Sequence, residues 1–435
     1  MSQTTFLNRQ GLYLRPDPAR VVVRAFKPAV EPRDLNATDK RRANHIVERA
    51  LALAPDTAAT LLADVLENFQ GRHRNLLEIF EARAEEMEDA FATHATFSKD
   101  QRRLIGAYFL SEYSFESAAL FNPSIVAHMD QAGTPQGGRR FILSLRAVGE
   151  GHVSSLTFRS GVVGADGCVS VDPAARLASI PTVKRRISGP DGDDVTLVFR
   201  PGMDISERVI VPITESQANG IEDARFVEFH DGAQRAYYAT YTAYSGKAIR
   251  SELLETRDFV SFRLSPLSGT ATKNKGMALF PRRISDRYAM IARQDNENLY
   301  LTYSEDLYSW NGGIAILRPQ FPWEFVQIGN CGSPIELDEG WLLLTHGVGP
   351  VRKYSIGAVL LDKADPSRVL ARASEPLVRP ESSERDGYVP NVVYTCGAIV
   401  HQDTLIIPYG LADHATGFAT APLAEVLGAM ESGDG

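Results

Sequence analysis

The chain has 435 residues, of which 44% are hydrophobic and 23% charged, with a formal net charge of −8. This is the composition of an ordinary soluble globular protein, long enough for a large core and two or three domains, and it excludes extended disorder. The acidic balance leaves no excess of cations to neutralise a phosphate polymer or an anionic bilayer, so neither nucleic acid nor membrane is expected as a partner.

The N-terminal Met1-Ser-Gln-Thr-Thr-Phe-Leu-Asn-Arg9 lacks the apolar centre of a secretory leader. No apolar run approaches the ~18 residues of a membrane span, so a cytoplasmic location is expected. From Ala37 to Leu110 the apolar spacing is helical: Ala43, Ile46, Val47, Ala50 and Leu51 recur at i, i+3, i+4, as do Leu61, Leu62, Val65, Leu66 and Phe69. Ser98-Lys-Asp-Gln101 has the form of a capping box opening a further helix. The charged run from Arg72 to Glu88 reads as a solvated helix face.

After Ser117 the pattern changes to short apolar runs broken by Gly, Asp and Asn, the signature of strands. Five segments repeat one plan. Phe121-Asn-Pro-Ser, Glu222-Asp-Ala-Arg, Lys275-Gly-Met-Ala-Leu-Phe, Cys331-Gly-Ser-Pro-Ile and Cys396-Gly-Ala-Ile-Val each lead into a strand, a polar turn and a second strand. The second strands are expected at Phe141–Leu145, Ala236–Tyr241, Tyr288–Ile291, Trp341–Leu344 and Leu405–Ile407. Two copies share a closing motif, Thr256-Arg-Asp-Phe-Val-Ser-Phe262 and Ser304-Glu-Asp-Leu-Tyr-Ser-Trp310, with aspartates 48 positions apart. A period of ~40–50 residues with three or four strands per unit suits a β-propeller blade. The expected fold is therefore mainly β, a five-bladed β-propeller over residues 116–435 with an N-terminal α-helical region over 1–115.

In such a blade the head of the first strand and the end of the second lie together, because the two are antiparallel. The strand heads carry Asn122, Glu222, Asp223, Arg225, Asn274, Lys275 and Asn330. The strand ends carry Arg146, Tyr244 to Lys247, Arg293 to Glu297, His346 and Tyr409 to Asp413. Amides, carboxylates, guanidinia and phenols converging on one cavity suit a ligand rich in hydroxyls, so a sugar is expected. The acidic pair Glu222-Asp223 offers a general acid, although an Asp-x-Arg at a strand start also serves as a plain ion pair. Cys168, Cys331 and Cys396 are far apart without a Cys-x-x-Cys and read as packing thiols, and the nine histidines show no metal-ligand spacing.

From Asn122 to the C-terminus the chain resembles glycoside hydrolase family 130, which includes β-mannoside phosphorylases and β-mannosidases. The resemblance rests on Phe121-Asn-Pro, Glu222-Asp-Ala-Arg with Tyr-x-Thr-Tyr-Thr-Ala-Tyr, Lys275-Gly-Met-Ala-Leu-Phe-Pro281, Thr345-His-Gly-Val348, Tyr388-Val-Pro-Asn-Val-Val393 and Tyr409-Gly-Leu-Ala-Asp413. It implies a five-bladed propeller with Asp223 as general acid, its proton reaching the glycosidic oxygen through a hydroxyl of the bound mannose. It further implies Arg146 and Asp413 as ligands of the sugar, with Tyr409 and His346 in matching loops and Asn122, Glu222 and Arg225 around the acid. Lys275 matches a phosphate-binding lysine; Arg293 sits in the loop beside it, with Arg250 and Arg263 as further phosphate candidates. Many of these phosphorylases carry His-Arg where this chain has Ala292-Arg293.

Phosphorolysis needs cations to aim an anionic nucleophile, whereas inverting hydrolysis needs a second carboxylate to activate water, for which Asp295 and Glu297 are the candidates. The resemblance favours inverting phosphorolysis of β-mannosides to α-mannose 1-phosphate, with inorganic phosphate as co-substrate and no cofactor or metal. A β-mannosidase, a mannosyltransferase and a non-catalytic sugar-binding propeller are the alternatives. The helical region is outside the family pattern and is expected to be a subgroup addition or an element for homo-oligomer formation.

Overall fold

The computed structural model describes residues 6–26, 41–91 and 98–432. The expected helical onset at Ala37 lies outside them. The chain divides into two compact units: the described residues of Met1–Pro18 with Phe115–Ala174 and Pro181–Gly435, and those of Ala19–Ser114 with Ala175–Ile180.

The smaller unit holds the helices Arg41–Leu51, Pro55–Phe69, Leu76–Phe91 and Lys99–Tyr108, plus the antiparallel pair Val21–Ala25 and Leu110–Ser114. The last helix starts where the sequence places it: the Gln101 backbone N–H donates to Ser98 Oγ, and the Ser98 N–H to Gln101 Oε1. The Gln101 amide also donates to the carbonyls of Leu51 and Leu53, so the cap ties this helix to the end of the first. Val47, Ala50, Ile105 and Phe109 bury the apolar faces read from the spacing. In the charged run, Glu81 pairs with Arg103 and Glu86 with Arg83. No described helix is long and apolar enough to cross a membrane.

The larger unit is mainly β. All five predicted strand pairs are present, as Ala119–Ala127 with Arg139–Val148, Gly220–Asp231 with Gln234–Tyr244, Ala278–Leu279 with Tyr288–Ala292, Ile335–Glu336 with Trp341–Val348, and Ile399–His401 with Thr404–Leu411. Each second strand pairs antiparallel with a third. The two closing motifs fold alike: Asp258 accepts from the N–H groups of Val260 and Ser261, and Asp306 from those of Tyr308 and Ser309. Phe158, Phe226, Phe259 and Phe262 meet edge-on or stacked in the core, each worth ~1.5–3 kcal/mol of burial.

Two features depart from the sequence reading. Asn8–Leu14, assigned to the helical region, is a strand that pairs with Ala415–Pro422 in the larger unit. Its partner lies some 400 residues away, so nothing local marks it. The hairpin Thr182–Gly189 with Gly192–Val198 also lies outside the repeat, and extends a sheet by pairing with Ser261–Pro266.

Candidate active site

Asp223 lies within a strand rather than ahead of one. The register of Gly220–Asp231 against Gln234–Tyr244 shifts between Glu222 and Arg225, and Asp223 takes φ +53° in that bulge. The neighbouring pair repeats the device: its register shifts between Phe121 and Ser124, with Asn122 at φ +48°. A bulge re-aims side chains that strict alternation would send elsewhere. The two aimed side chains meet, as the Asn122 amide donates to Asp223 Oδ1 at 2.7 Å. Gly410 permits the approach, because a Cβ there would press on the Asn122 backbone nitrogen and side-chain oxygen.

Arg146 spans the acidic pair. Its guanidinium donates to Glu222 Oε1 at 2.6 Å, to Asp223 Oδ1 at 3.4 Å and to Ser154 Oγ at 2.9 Å, and lies over the Phe121 ring. Arg225, 2% exposed, works on the backbone: it donates to the carbonyls of Asp223 and Cys331 and to the Tyr394 hydroxyl, at 3.0, 3.1 and 2.6 Å. Burial alone would raise the pKa of Asp223. The charges of Arg146, Arg225 and Lys275, with the Asn122 amide, outweigh it and hold the carboxyl below its ordinary value. Asp413, at φ +51°, behaves oppositely: burial, against the pull of Arg146, pushes it up to about 6, aided by the negative charge of Asp223.

Next to this corner is a cationic one. Arg293 is buried; its guanidinium meets His346 Nε2 at 3.3 Å and Asn296 Oδ1 at 3.5 Å, and its Nε has no hydrogen-bond partner among the described residues. Neither Arg293 nor Lys275 forms an ion pair with a carboxylate among the described residues. Both amide atoms of the buried Asn330 side chain are likewise without hydrogen-bond partners among the described residues. Burial and the charges of Arg293 and Arg225 keep the His346 imidazole well below its usual pKa, hence neutral. Gly329 makes room for it, since a Cβ there would collide with the imidazole.

His346 and Tyr409 stand on strands, Trp341–Val348 and Thr404–Leu411, rather than in loops. The Tyr409 hydroxyl donates to Glu384 Oε1 at 2.7 Å, and Glu384 also pairs with Arg9, which gives Tyr409 a role in tying the N-terminal strand to its sheet. Arg250 pairs with Glu252 and reaches the Asp191 carbonyl; Arg263 pairs with Asp194 at 2.7 Å and lies over the Tyr308 ring. They stand on Ile249–Thr256 and Ser261–Pro266, beyond the first two strands of their group, where alternation leaves Arg250 part-exposed and Arg263 exposed. Asp295 accepts from the N–H groups of Glu297 and Asn298, the Asn298 amide and the Tyr300 hydroxyl, so it caps an exposed turn, and Glu297 is exposed beside it. The structure therefore gathers Asn122, Arg146, Glu222, Asp223, Arg225, Lys275, Arg293, His346 and Asp413, and leaves the other five outside. Asn330, named above at a strand head but given no role, stands in the cationic corner, and Tyr394, which meets Arg225, was not singled out; its only signal was its position two residues before the repeated Cys-Gly.

Residues 203–432 match the model of glycoside hydrolase family 130, described as β-1,4-mannooligosaccharide phosphorylase. The chain belongs to this family. Over 229 residues it is 34% identical to the 1,2-β-oligomannan phosphorylase of Thermoanaerobacter sp. (strain X514), covering 52% of this chain and 75% of that protein. The β-1,2-mannobiose phosphorylase of Listeria innocua, solved with β-1,2-mannobiose, shares the fold at a TM-score of 0.53 and 23% identity, over 72% of this chain and 92% of that one. A further family 130 structure aligns with a TM-score of 0.52 and 20% identity, over 71% and 86% of the two chains. Its description states that this family of mannoside phosphorylases contains glycoside hydrolases that target β-1,2 mannosidic linkages in Candida mannan.

Proposed function

We propose that this protein is an inverting phosphorylase of β-mannosides, which transfers a mannosyl unit to inorganic phosphate and releases a shortened acceptor saccharide. The observation that carries the reading is the pairing of an ionised, buried Asp223 with two cations, Lys275 and Arg293, that lack carboxylate partners among the described residues. A buried cation left without a counter-ion is costly, and an anionic ligand removes that cost. Phosphate offers oxygens to Lys275, Arg293 and the Asn330 amide.

Its negative charge would also offset the cations that hold Asp223 ionised, and so raise the proton affinity of that carboxyl when the nucleophile is bound. Asp223 then acts as the general acid. Its proton passes through a mannose hydroxyl to the glycosidic oxygen, the bond from that oxygen to the anomeric carbon breaks, and a phosphate oxygen bonds to the anomeric carbon from the opposite face. The products are α-mannose 1-phosphate and the freed acceptor. Arg146 and Asp413 hold the sugar.

The scaffold is a five-bladed propeller formed by residues 116–435, closed by the N-terminal strand. Hydrogen bonds between successive strand groups support this reading: Thr240 to the Met277 carbonyl, Ile328 N–H to Glu297, Tyr354 N–H to Asn391, and from last to first Leu120 N–H to His414 and Cys396 N–H to Pro123. The helices before residue 115 serve self-association, and the cytoplasm is the working compartment. Size measured by light scattering before and after removal of residues 19–114 tests the former.

A second reading, hydrolysis, has one observation in its favour. Asp413, pushed up to about 6, and the ionised Asp223 are two carboxyls of unlike proton affinity in one site, which is what an inverting glycosidase uses. The two readings separate on incubation with β-1,2- and β-1,4-mannobiose with and without phosphate. Sugar phosphate formed only with phosphate is expected; free mannose released at equal rate in phosphate-free buffer would overturn phosphorolysis.

A further inference from the structure

One aromatic pair in the larger unit is unexplained by the reaction. Tyr388 is 70% exposed and stacks on the exposed His152, with ring centroids 5.5 Å apart and an interplanar angle of 29°. The segment that carries Tyr388 is anchored at two places. The Val389 N–H donates to the Ala412 carbonyl, next to Asp413, and the Tyr354 N–H donates to the Asn391 carbonyl at 3.0 Å. Tyr354 in turn stacks on His346, while Val389 and Tyr354 both pack against the cluster of Val392, Tyr394 and Cys396. The segment thus runs from the sugar-binding carboxyl to the cationic corner, with Tyr388 on its solvent side.

His152 reaches the pair through a strained turn. It follows the strand bearing Arg146, and holds φ +57° after Gly149-Glu-Gly151. The same turn recurs after the strand bearing His346, where Val351 and Arg352 have φ +56° and +53° and Val351 is 90% exposed. Positive φ in these non-glycine residues costs free energy and persists where the surroundings require it. Both turns project side chains at the strand ends that hold the site residues.

We propose that Tyr388 and His152 form a platform at the mouth of the site, on which a pyranose ring of the acceptor part of the saccharide stacks. The inference rests on the phosphorylase reading given above. Pyranose rings present an apolar C–H face that packs on an aromatic ring, while the Tyr388 hydroxyl can exchange hydrogen bonds with the ring's hydroxyls. The reacting mannose needs the buried groups at Asp223, so an exposed platform fits the sugar beyond the scissile bond. The patch is a single ring pair bordered by the exposed Arg385 and Asp386, which suits a solvated saccharide better than a protein surface.

The test uses the full-length protein with α-mannose 1-phosphate as donor and mannose or β-mannobiose as acceptor, read as phosphate release, together with calorimetric binding of β-mannotriose. Tyr388→Ala is expected to raise the acceptor KM and weaken mannotriose binding by ~10-fold, with donor KM and kcat at saturating acceptor within about twofold. Tyr388→Phe retains most of the affinity, His152→Ala loses part of it, and thermal midpoints stay the same because both residues are exposed. Unchanged mannotriose binding in both Tyr388→Ala and His152→Ala overturns the platform whatever the turnover. Absence of phosphate release from the unmodified protein, with binding still lost in Tyr388→Ala, overturns the phosphorylase reading and leaves the platform standing.

Discussion

Two corners of the site use the same residue types and finish them differently. At Asp223 the charges are paired inside the protein: Arg146 with Glu222 and Asp223, and Arg225 with two carbonyls and a phenol. At Arg293 they are not, and the neutral His346 and the unpartnered Asn330 amide leave capacity open. The paired corner is pre-organised, so it orients groups without reorganising during a reaction. The open corner gains its counter-charge only with a ligand. In the proposed phosphorylase the site is rigid at Asp223, the acid of that reading, and incomplete at Arg293, where that reading brings the nucleophile.

The largest effect should come from the paired corner. Asp223→Asn removes the proton and is expected to lower phosphorolysis kcat by ~10³-fold, measured as sugar phosphate formation. Loss of less than tenfold would take the acid role away from this residue. At the open corner, Lys275→Ala or Arg293→Ala should raise the phosphate KM by ~100-fold, since a charge-assisted hydrogen bond is worth ~1.5–3 kcal/mol. Stability should hold or rise in Arg293→Ala, because the cation has no carboxylate to leave behind. Arg146→Ala, by contrast, strands Glu222 and should cost ~3–5 kcal/mol in urea unfolding. Equal destabilisation by both variants would erase the contrast between the corners.

A smaller effect separates the two aspartates. The folded pKa of Asp413, about 6, lies above its ordinary value of 3.8. Its contribution to stability is therefore fully present below about pH 3.8 and is lost as pH rises through about 6, amounting to at most about 3 kcal/mol. Asp413→Asn does not titrate, so the stability difference between the two proteins should change across that window and stay flat above it. Asp223, held below its ordinary value, gives the opposite sign: stabilisation present above the usual carboxylate pKa and lost on acidification. The smallest effect belongs to the exposed turn. Asp295→Asn should cost ~1 kcal/mol through its lost hydrogen bonds, and Glu297→Gln nothing measurable, with phosphorolysis within twofold in both.

Much of the larger unit was legible because its signals are local. Alternating apolar residues mark each second strand, the Asp258 and Asp306 turns use backbone donors two and three residues on, and the Ser98–Gln101 cap closes within one helical turn. The site was legible in part. Asp295 and Asp223 look alike in sequence, each an acidic residue among polar neighbours at a strand boundary. What separates them is distant: Asp223 meets Arg146 and Asn122 from another strand pair, whereas Asp295 spends its oxygens on its own turn. The partners of Tyr409 were hidden for the same reason, being Glu384 and, beyond it, Arg9.

By itself the sequence determined the strand repeat, the helices, the family pattern and the residue types that line the site, because periodicity and short motifs encode what neighbouring residues do to one another. Only the tertiary structure decided which charges are paired and which are left open, since burial and counter-charge depend on residues brought together from strands some fifty to more than a hundred positions apart. It joined Asn8–Leu14 to the end of the chain, turned Arg250 and Arg263 outward and stacked Tyr388 on His152. Chemistry at Asp223 follows from that assembly: the same carboxyl, without Arg146, Arg225 and Lys275 around it, would be raised by burial instead of held ionised.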